Sequence, residues 1–98
     1  MADLAPVHPG EILAEDFMAP RNLTANALAL ALRVAPNRIS DIVRGKRSIT
    51  AETALRLGRY FGTSPDFWAN LQAHYDLELA KDQYGPTIER EVAVAATT

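Results

Sequence analysis

The stretch LTANALALALRVAPNRISDIVRG, residues 23–45, decides the fold, because it has the spacing of two short amphipathic helices joined by a tight turn. Thr24 can cap a first helix with its hydroxyl, and Leu28 and Leu32, one turn apart, give that helix an apolar stripe. Arg33-Val34-Ala35 is short enough to turn the chain. Pro36 suits the first position of a second helix, where its missing N–H costs no bond. Ile39, Ile42 and Val43 then recur at the i, i+3, i+4 spacing of one buried face. Asn37, Arg38, Ser40, Asp41 and Arg44 are left pointing away from the core. Asn and Arg carry paired groups that match the major-groove edges of adenine and guanine, so their place at the start of a short exposed helix points to base reading. A solvated helical face in a small bundle fits the same pattern.

Charge sharpens the choice. The chain carries a net charge of −2 over 98 residues, a poor match to a polyanion if it were spread evenly. It is not even: residues 33–59 hold seven basic residues (Arg33, Arg38, Arg44, Lys46, Arg47, Arg56, Arg59) against two acidic ones (Asp41, Glu52), a local balance of +5. The remainder stands at −7. A basic segment in an otherwise acidic chain is the footprint of a protein that meets phosphate with one face only.

Length fits one domain able to bury about 65% of its unfolded surface, enough for a single core. With no cysteine there is neither a disulfide framework nor a thiolate metal site. No stretch is long and apolar enough to cross a bilayer, and MADLAPVHPGEI lacks the basic and apolar regions of a secretory signal, so a cytoplasmic location is expected.

Outward from the central pair, the pattern predicts five helices, no strand, and no internal repeat. Residues 1–8 read as an extended arm. Pro9-Gly10-Glu11 opens a helix in which Leu13 and Phe17 share a face until Pro20 stops it. Gly45 closes the second helix of the pair, and Lys46-Arg47-Ser48 follows as an exposed basic loop. Thr50 caps a helix with Ala54, Leu57 and Phe61 on one side and Arg56 and Arg59 off it, ended by Gly62. Thr63 or Ser64 caps the last helix, expected from residue 65 to about 81, with Trp68, Leu71 and Tyr75 as its stripe. At Tyr84-Gly85-Pro86 the periodicity fails, which divides the chain into a domain of residues 1–83 and a flexible C-terminal tail of residues 84–98.

Little in the sequence supports catalysis. Glu11, Glu15 and Asp16 crowd the first helix, where negative charge complements the helix dipole. His8 and His74 lie far apart and belong to no spaced ligand set, so a surface or capping role is expected of them and no metal. No serine stands in a nucleophile motif, no glycine-rich loop could cradle a phosphate, and no cofactor is implied.

The runs HPGEIL, LTANALALAL, APNRISDIVRGKRSIT and TALRLGRYFGTSPDFWANLQAHYDL together resemble the HigA family of antitoxins, within the lambda-repressor-like helix-turn-helix superfamily, over residues 8–79. The resemblance implies a compact all-α, five-helix DNA-binding domain that dimerises, represses its own operon and neutralises a HigB toxin, a RelE-type mRNA endoribonuclease. It puts Pro36, Asn37, Arg38, Ser40, Asp41 and Arg44 on the recognition helix and Lys46 and Arg47 beside the phosphates. Asn37 and Arg38, in the first turn, are nearest the groove floor, and Arg44, about two turns on, is better placed for backbone phosphate. Asp41, an anion facing DNA, either accepts from a cytosine amino group or orients a neighbouring arginine, Arg38 or Arg44; orientation is favoured.

A five-helix unit of this size has limited interior, so part of the last helix is expected to pack on a second copy, through Leu71, Tyr75 and Leu79. The acidic surface of the first or last helix, with the surplus charge in Glu11, Glu15, Asp16, Asp76, Glu78 and Asp82 and the first three as the leading contacts, is the expected toxin site, since a ribonuclease acting on mRNA needs a basic face. Two other classes stay open: a stand-alone helix-turn-helix repressor with no toxin, and a helical adaptor or enzyme subunit without DNA affinity.

Overall fold

The computed structural model describes residues 5–96, and among them every regular element is helical. Helix α1 covers residues 9–21 in three parts: an α-helical turn Pro9–Ile12, a π-helical stretch Leu13–Met18 and a closing 3₁₀ turn Ala19–Arg21. It is followed by α2 (Ala25–Leu32), α3 (Pro36–Val43), α4 (Ala51–Phe61) and α5 (Pro65–Glu91).

The wider π turn changes which side chains α1 buries. Five residues apart on an α-helix diverge, but an i→i+5 ladder brings them to one side, and Leu13 and Met18 are both buried. Phe17 packs on the same core with its ring 4.7 Å from that of Trp68 and 5.1 Å from that of Phe61. Pro20 does not end the helix outright; it sits inside the 3₁₀ turn, and Asn22, in the left-handed region at φ 52°, makes the exit.

The central pair forms as its spacing predicts. Thr24 Oγ1 accepts from the Ala27 N–H at 3.0 Å, a cap made without any acidic partner three residues on. Arg33 ends α2 in the left-handed conformation at φ 64°, and the Val34 N–H reaches back to the Ala29 carbonyl at 3.0 Å. At the far end of α3, Gly45 takes φ 76°. Its N–H donates to the Ile42 carbonyl at 3.0 Å and that of Lys46 to the Asp41 carbonyl at 2.8 Å, the paired bonds of a Schellman ending.

Leu28, Ile39, Ile42, Leu57 and Trp68, all fully buried, meet at the centre with Leu13. Trp68 hides its ring and still satisfies its indole N–H, which donates to Thr63 Oγ1 at 2.8 Å. Thr63 therefore serves the indole while Ser64 Oγ caps α5 by accepting from the Phe67 N–H at 3.2 Å. The buried Gln72 fastens α5 to the loop before α4: its Oε1 accepts from the Ile49 N–H at 2.8 Å, and its Nε2 donates to Asp76 at 2.9 Å.

Helix α5 departs from the expected tail. It runs through Gly85 and Pro86 to Glu91, and only residues 92–96 lack regular structure, with 97–98 outside the described residues. Proline in a helix deprives one carbonyl of its donor. Here that carbonyl belongs to Asp82, an exposed residue on a helix that stands in solvent, where water is the available substitute. Of the expected N-terminal arm, residues 5–8 have no regular structure and residues 1–4 lie outside the described residues.

Two ends of the molecule are tied to α1. His8 Nδ1 accepts from the Gly10 N–H at 2.9 Å, the capping role expected of it, and its ring meets the edge of Tyr75 at 4.8 Å between centroids. Gly10 lies against the last turn of α3 so closely that a Cβ there would run into the Ile42 carbonyl oxygen, a backbone atom. Gly10→Ala should therefore destabilise the fold by about 2 kcal/mol or more, read as a lower midpoint in urea. Gly85 has open space around it inside an exposed helix. Gly85→Ala should add helical signal in far-UV circular dichroism; a loss of signal would mean that the helix stops before Pro86.

Burial pulls the His8 pKa below its ordinary 6.5, against the opposing fields of Asp76 and Glu11. The folded chain thus favours the neutral ring, whose Nδ1 lone pair is the cap. That contribution is complete above 6.5 and is lost as pH falls through the lowered folded pKa. His8→Asn keeps a capping oxygen that does not titrate, and should flatten part of the fall in Tm between about pH 7 and about pH 5.

Candidate nucleic-acid interface

Helix α3 is eight residues long and divides cleanly into two faces. Ile39 and Ile42 are fully buried against the core and Val43 is half-buried. Pro36, Asn37 and Arg44 are exposed, and Arg38, Ser40 and Asp41 are partly so. Lys46 and Arg47 continue the exposed surface in the loop beyond Gly45. All eight residues singled out in the sequence thus lie on α3 and the loop that follows it. Ala35, in extended conformation, starts the helix with no side-chain cap, and Pro36 occupies its first turn.

The two acidic residues within the basic segment are each shared by two arginines. Asp41 accepts from Arg44 Nη2 at 3.2 Å and faces Arg47 Nη2 at 3.5 Å. Of the two arginines expected to pair with Asp41, it holds Arg44, one helical turn away, and not Arg38. Arg38 turns instead toward α4, where its Nη1 donates to Glu52 Oε1 at 3.2 Å and lies 3.4 Å from Thr53 Oγ1. Glu52 also receives Arg56, with Nη2 at 2.9 Å. Hydrogen bonds from Arg56 and then Arg38 hold the Glu52 carboxyl below the usual carboxylate range, so it stays an anion at neutral pH.

Sequence reasoning counted Glu52 only as an offset to positive charge and Arg56 only as one cation of the basic segment, and it did not mark Thr53. Half of the signal was available, since Glu52 and Arg56 stand at i, i+4, the spacing of a helical ion pair. The link from Glu52 to Arg38 spans 14 residues and two helices, and no local pattern encodes it.

The other expected contacts are scattered. Glu11, Glu15 and Asp16 are all exposed along α1, and none forms an ion pair among the described residues. Leu71 is half-buried against the chain's own core and Tyr75 is partly covered by His8, which leaves Leu79 as the exposed member of the three residues expected at a dimer contact. Leu77, Tyr84 and Ile88 on the same helix are exposed large apolar side chains that the sequence reading did not single out. Among the described residues no helix is long and apolar enough to cross a membrane.

Known proteins share both the pattern and the geometry. A family described as helix-turn-helix matches residues 15–68. Virulence-associated protein I of Dichelobacter nodosus is 53% identical over 79 residues, 81% of this chain and 73% of its own. An addiction module antidote protein of the HigA family from Coxiella burnetii superposes with a TM-score of 0.89 at 49% identity, over 94% of this chain and all of that one. The Pseudomonas aeruginosa antitoxin HigA, solved with the higBA promoter, superposes at 0.91 with 46% identity, over 93% and 99% of the two chains. Agreement of this extent, running through α1 to α5 and including the helix pair that carries the basic face, shows that the chain belongs to the HigA family of helix-turn-helix antitoxins.

Proposed function

We propose that this chain is a cytoplasmic antitoxin that represses its own operon by inserting α3 into the major groove of operator DNA as a two-fold dimer, and that it captures and neutralises a HigB-type mRNA endoribonuclease. No catalytic step of its own belongs to this reading. The observation that carries it is the surface of α3 and the loop after it: Asn37, Arg38 and Arg44, followed by Lys46 and Arg47, on an element whose other side is locked into the core. The similarity to a Pseudomonas aeruginosa protein solved with its promoter supports the same assignment. One α3 spans too few base pairs for an operator, and a dimer places two such helices about 34 Å apart, one turn of the duplex.

Binding through this face is dominated by phosphate, so its affinity depends on salt. With roughly six to ten phosphates neutralised by a dimer, affinity for the promoter fragment should fall about 10³ to 10⁵-fold between about 50 and 200 mM salt. A flat response in fluorescence anisotropy sinks the proposal. Position then separates reading from gripping. Arg38→Ala should cost about 1 to 3 kcal/mol on the operator and relax preference at one base pair, whereas Lys46→Ala should weaken all sequences alike and reduce the salt slope by about one. Equal losses for Arg38→Ala on operator and random duplex would make Arg38 a phosphate contact.

Charge also proposes where the toxin docks. Glu11, Glu15 and Asp16 are exposed on α1, in the part of the chain that carries the −7 balance. Opposite potentials raise the rate of encounter. Reversing these three charges together should slow association with the co-expressed toxin and make it less salt-sensitive while promoter binding survives. Competition between toxin and promoter fragment in a gel-shift titration, or toxin association untouched by the reversals, contradicts docking at α1.

A further inference from the structure

Glu52 stands in the first turn of α4, off the recognition helix, and its carboxylate faces two arginines on different sides. Oε1 accepts from Arg38 Nη1 at 3.2 Å; Oε2 accepts from Arg56 Nε at 3.0 Å and pairs with its Nη2 at 2.9 Å. Arg56 is itself anchored, because its Nη1 donates to the Leu32 carbonyl at 2.9 Å, an acceptor at the end of α2. A continuous polar strut therefore runs from the last turn of α2, across α4, to the third residue of α3. Each joint leaves its neighbour less freedom.

The geometry distinguishes holding from hiding. Both partners of Arg38, Glu52 Oε1 and Thr53 Oγ1, lie on the single nitrogen Nη1. Its Nε and Nη2 have no hydrogen-bond partner among the described residues, and that edge carries the two parallel N–H groups that fit guanine O6 and N7. The side chain keeps 26% of its surface. Arg38 is thus fixed at one corner with its recognition edge open.

Glu52 also acts on any duplex that approaches. Its side chain is more than half exposed, and an anion beside the groove repels phosphate whatever the sequence. On a site with no acceptor for Arg38, the carboxylate offsets one of the two positive charges it is paired with, and the cluster attracts phosphate less than the two arginines alone would. On a matching site the open edge is engaged in a conformation already set.

We propose that Glu52 is a specificity-determining residue of this DNA face: it positions the Arg38 guanidinium for a base edge and opposes binding to non-cognate duplex. The inference rests on the reading of α3 as an operator-binding helix.

The test uses the whole chain, the promoter fragment upstream of its own gene, and a random duplex of equal length at one salt concentration. Glu52→Ala should bind the random duplex more tightly and the promoter more weakly, so that the ratio of affinities falls about tenfold. Loss of stability alone moves both affinities the same way. In an Arg38→Ala background the same substitution should leave the ratio unchanged, because the residue it positions is gone. Glu52→Gln keeps an oxygen for Arg38 without the charge; it should match Glu52→Ala on random duplex and retain more promoter affinity. A ratio unaltered by Glu52→Ala, full additivity with Arg38→Ala, or equal promoter losses for the two Glu52 variants overturns the proposal. A wild-type chain that does not prefer its promoter to random duplex overturns the operator reading itself.

Discussion

An eight-residue helix cannot hold itself together in water, so the shape of this molecule follows from the need to keep α3 folded while one side of it stays bare. Two isoleucines provide the anchorage. Ile39 and Ile42 are fully buried among Leu13, Leu28, Leu57 and Trp68, and every other helix is arranged to supply part of that socket. Helix α2 lies beneath, α1 closes over the far end at Gly10, and α4 braces the near end through Arg38. Gln72 on α5 then ties the last helix to the strand of loop at Ile49 that leads out of the basic turn. The candidate DNA face is what remains bare after packing that is done mainly on the other side.

Charge on that face is ordered, not merely accumulated. Six of the seven basic residues of the segment extend from α3 or its loop, or from α4, with four of the arginines shared between just two carboxylates, Asp41 and Glu52. Exposed ion pairs of this kind contribute little to folding. Their effect is geometric: a guanidinium that would otherwise sweep through solvent is pinned at one end and left with free N–H groups on the other. A lower net positive charge is the accompanying cost, and it falls on non-specific attraction to phosphate more than on recognition.

The helix pair was legible because its signals are local. Thr24 as cap, Pro36 at the first position and Gly45 in a left-handed ending are each decided within four or five residues, and each is found where the spacing puts it. The π turn of α1 was not, since it is dictated by the requirement to bury Leu13 and Met18 together, a tertiary demand. Continuation of α5 through Gly85 and Pro86 escaped for a different reason. Both residues disfavour a helix wherever they stand, and nothing in the local sequence shows that this stretch lies in solvent at Asp82, where an unpaired carbonyl is least costly. On the candidate DNA face, the residues of α3 could be read from one heptad, but Glu52, Thr53 and Arg56 enter it from α4 and depend on how the helices cross. Dimer contacts are the least legible of all, because a helical stripe such as Leu71 and Tyr75 looks the same whether it meets its own core or a second copy.

The contact between Gly10 and the Ile42 carbonyl sets a limit on how such a protein can diversify. The angle at which α3 leaves the body is fixed against bare backbone at a position more than 30 residues away in sequence that is itself buried. Most packing contacts offer a graded series, from alanine to valine to leucine, through which a helix can be tilted by fractions of an ångström. This one has no first step, since the smallest side chain already collides with an atom that has nowhere to go. Relatives built on the same contact inherit one docking angle, and their operators can diverge only through the side chains that α3 carries outward and the carboxylates that aim them.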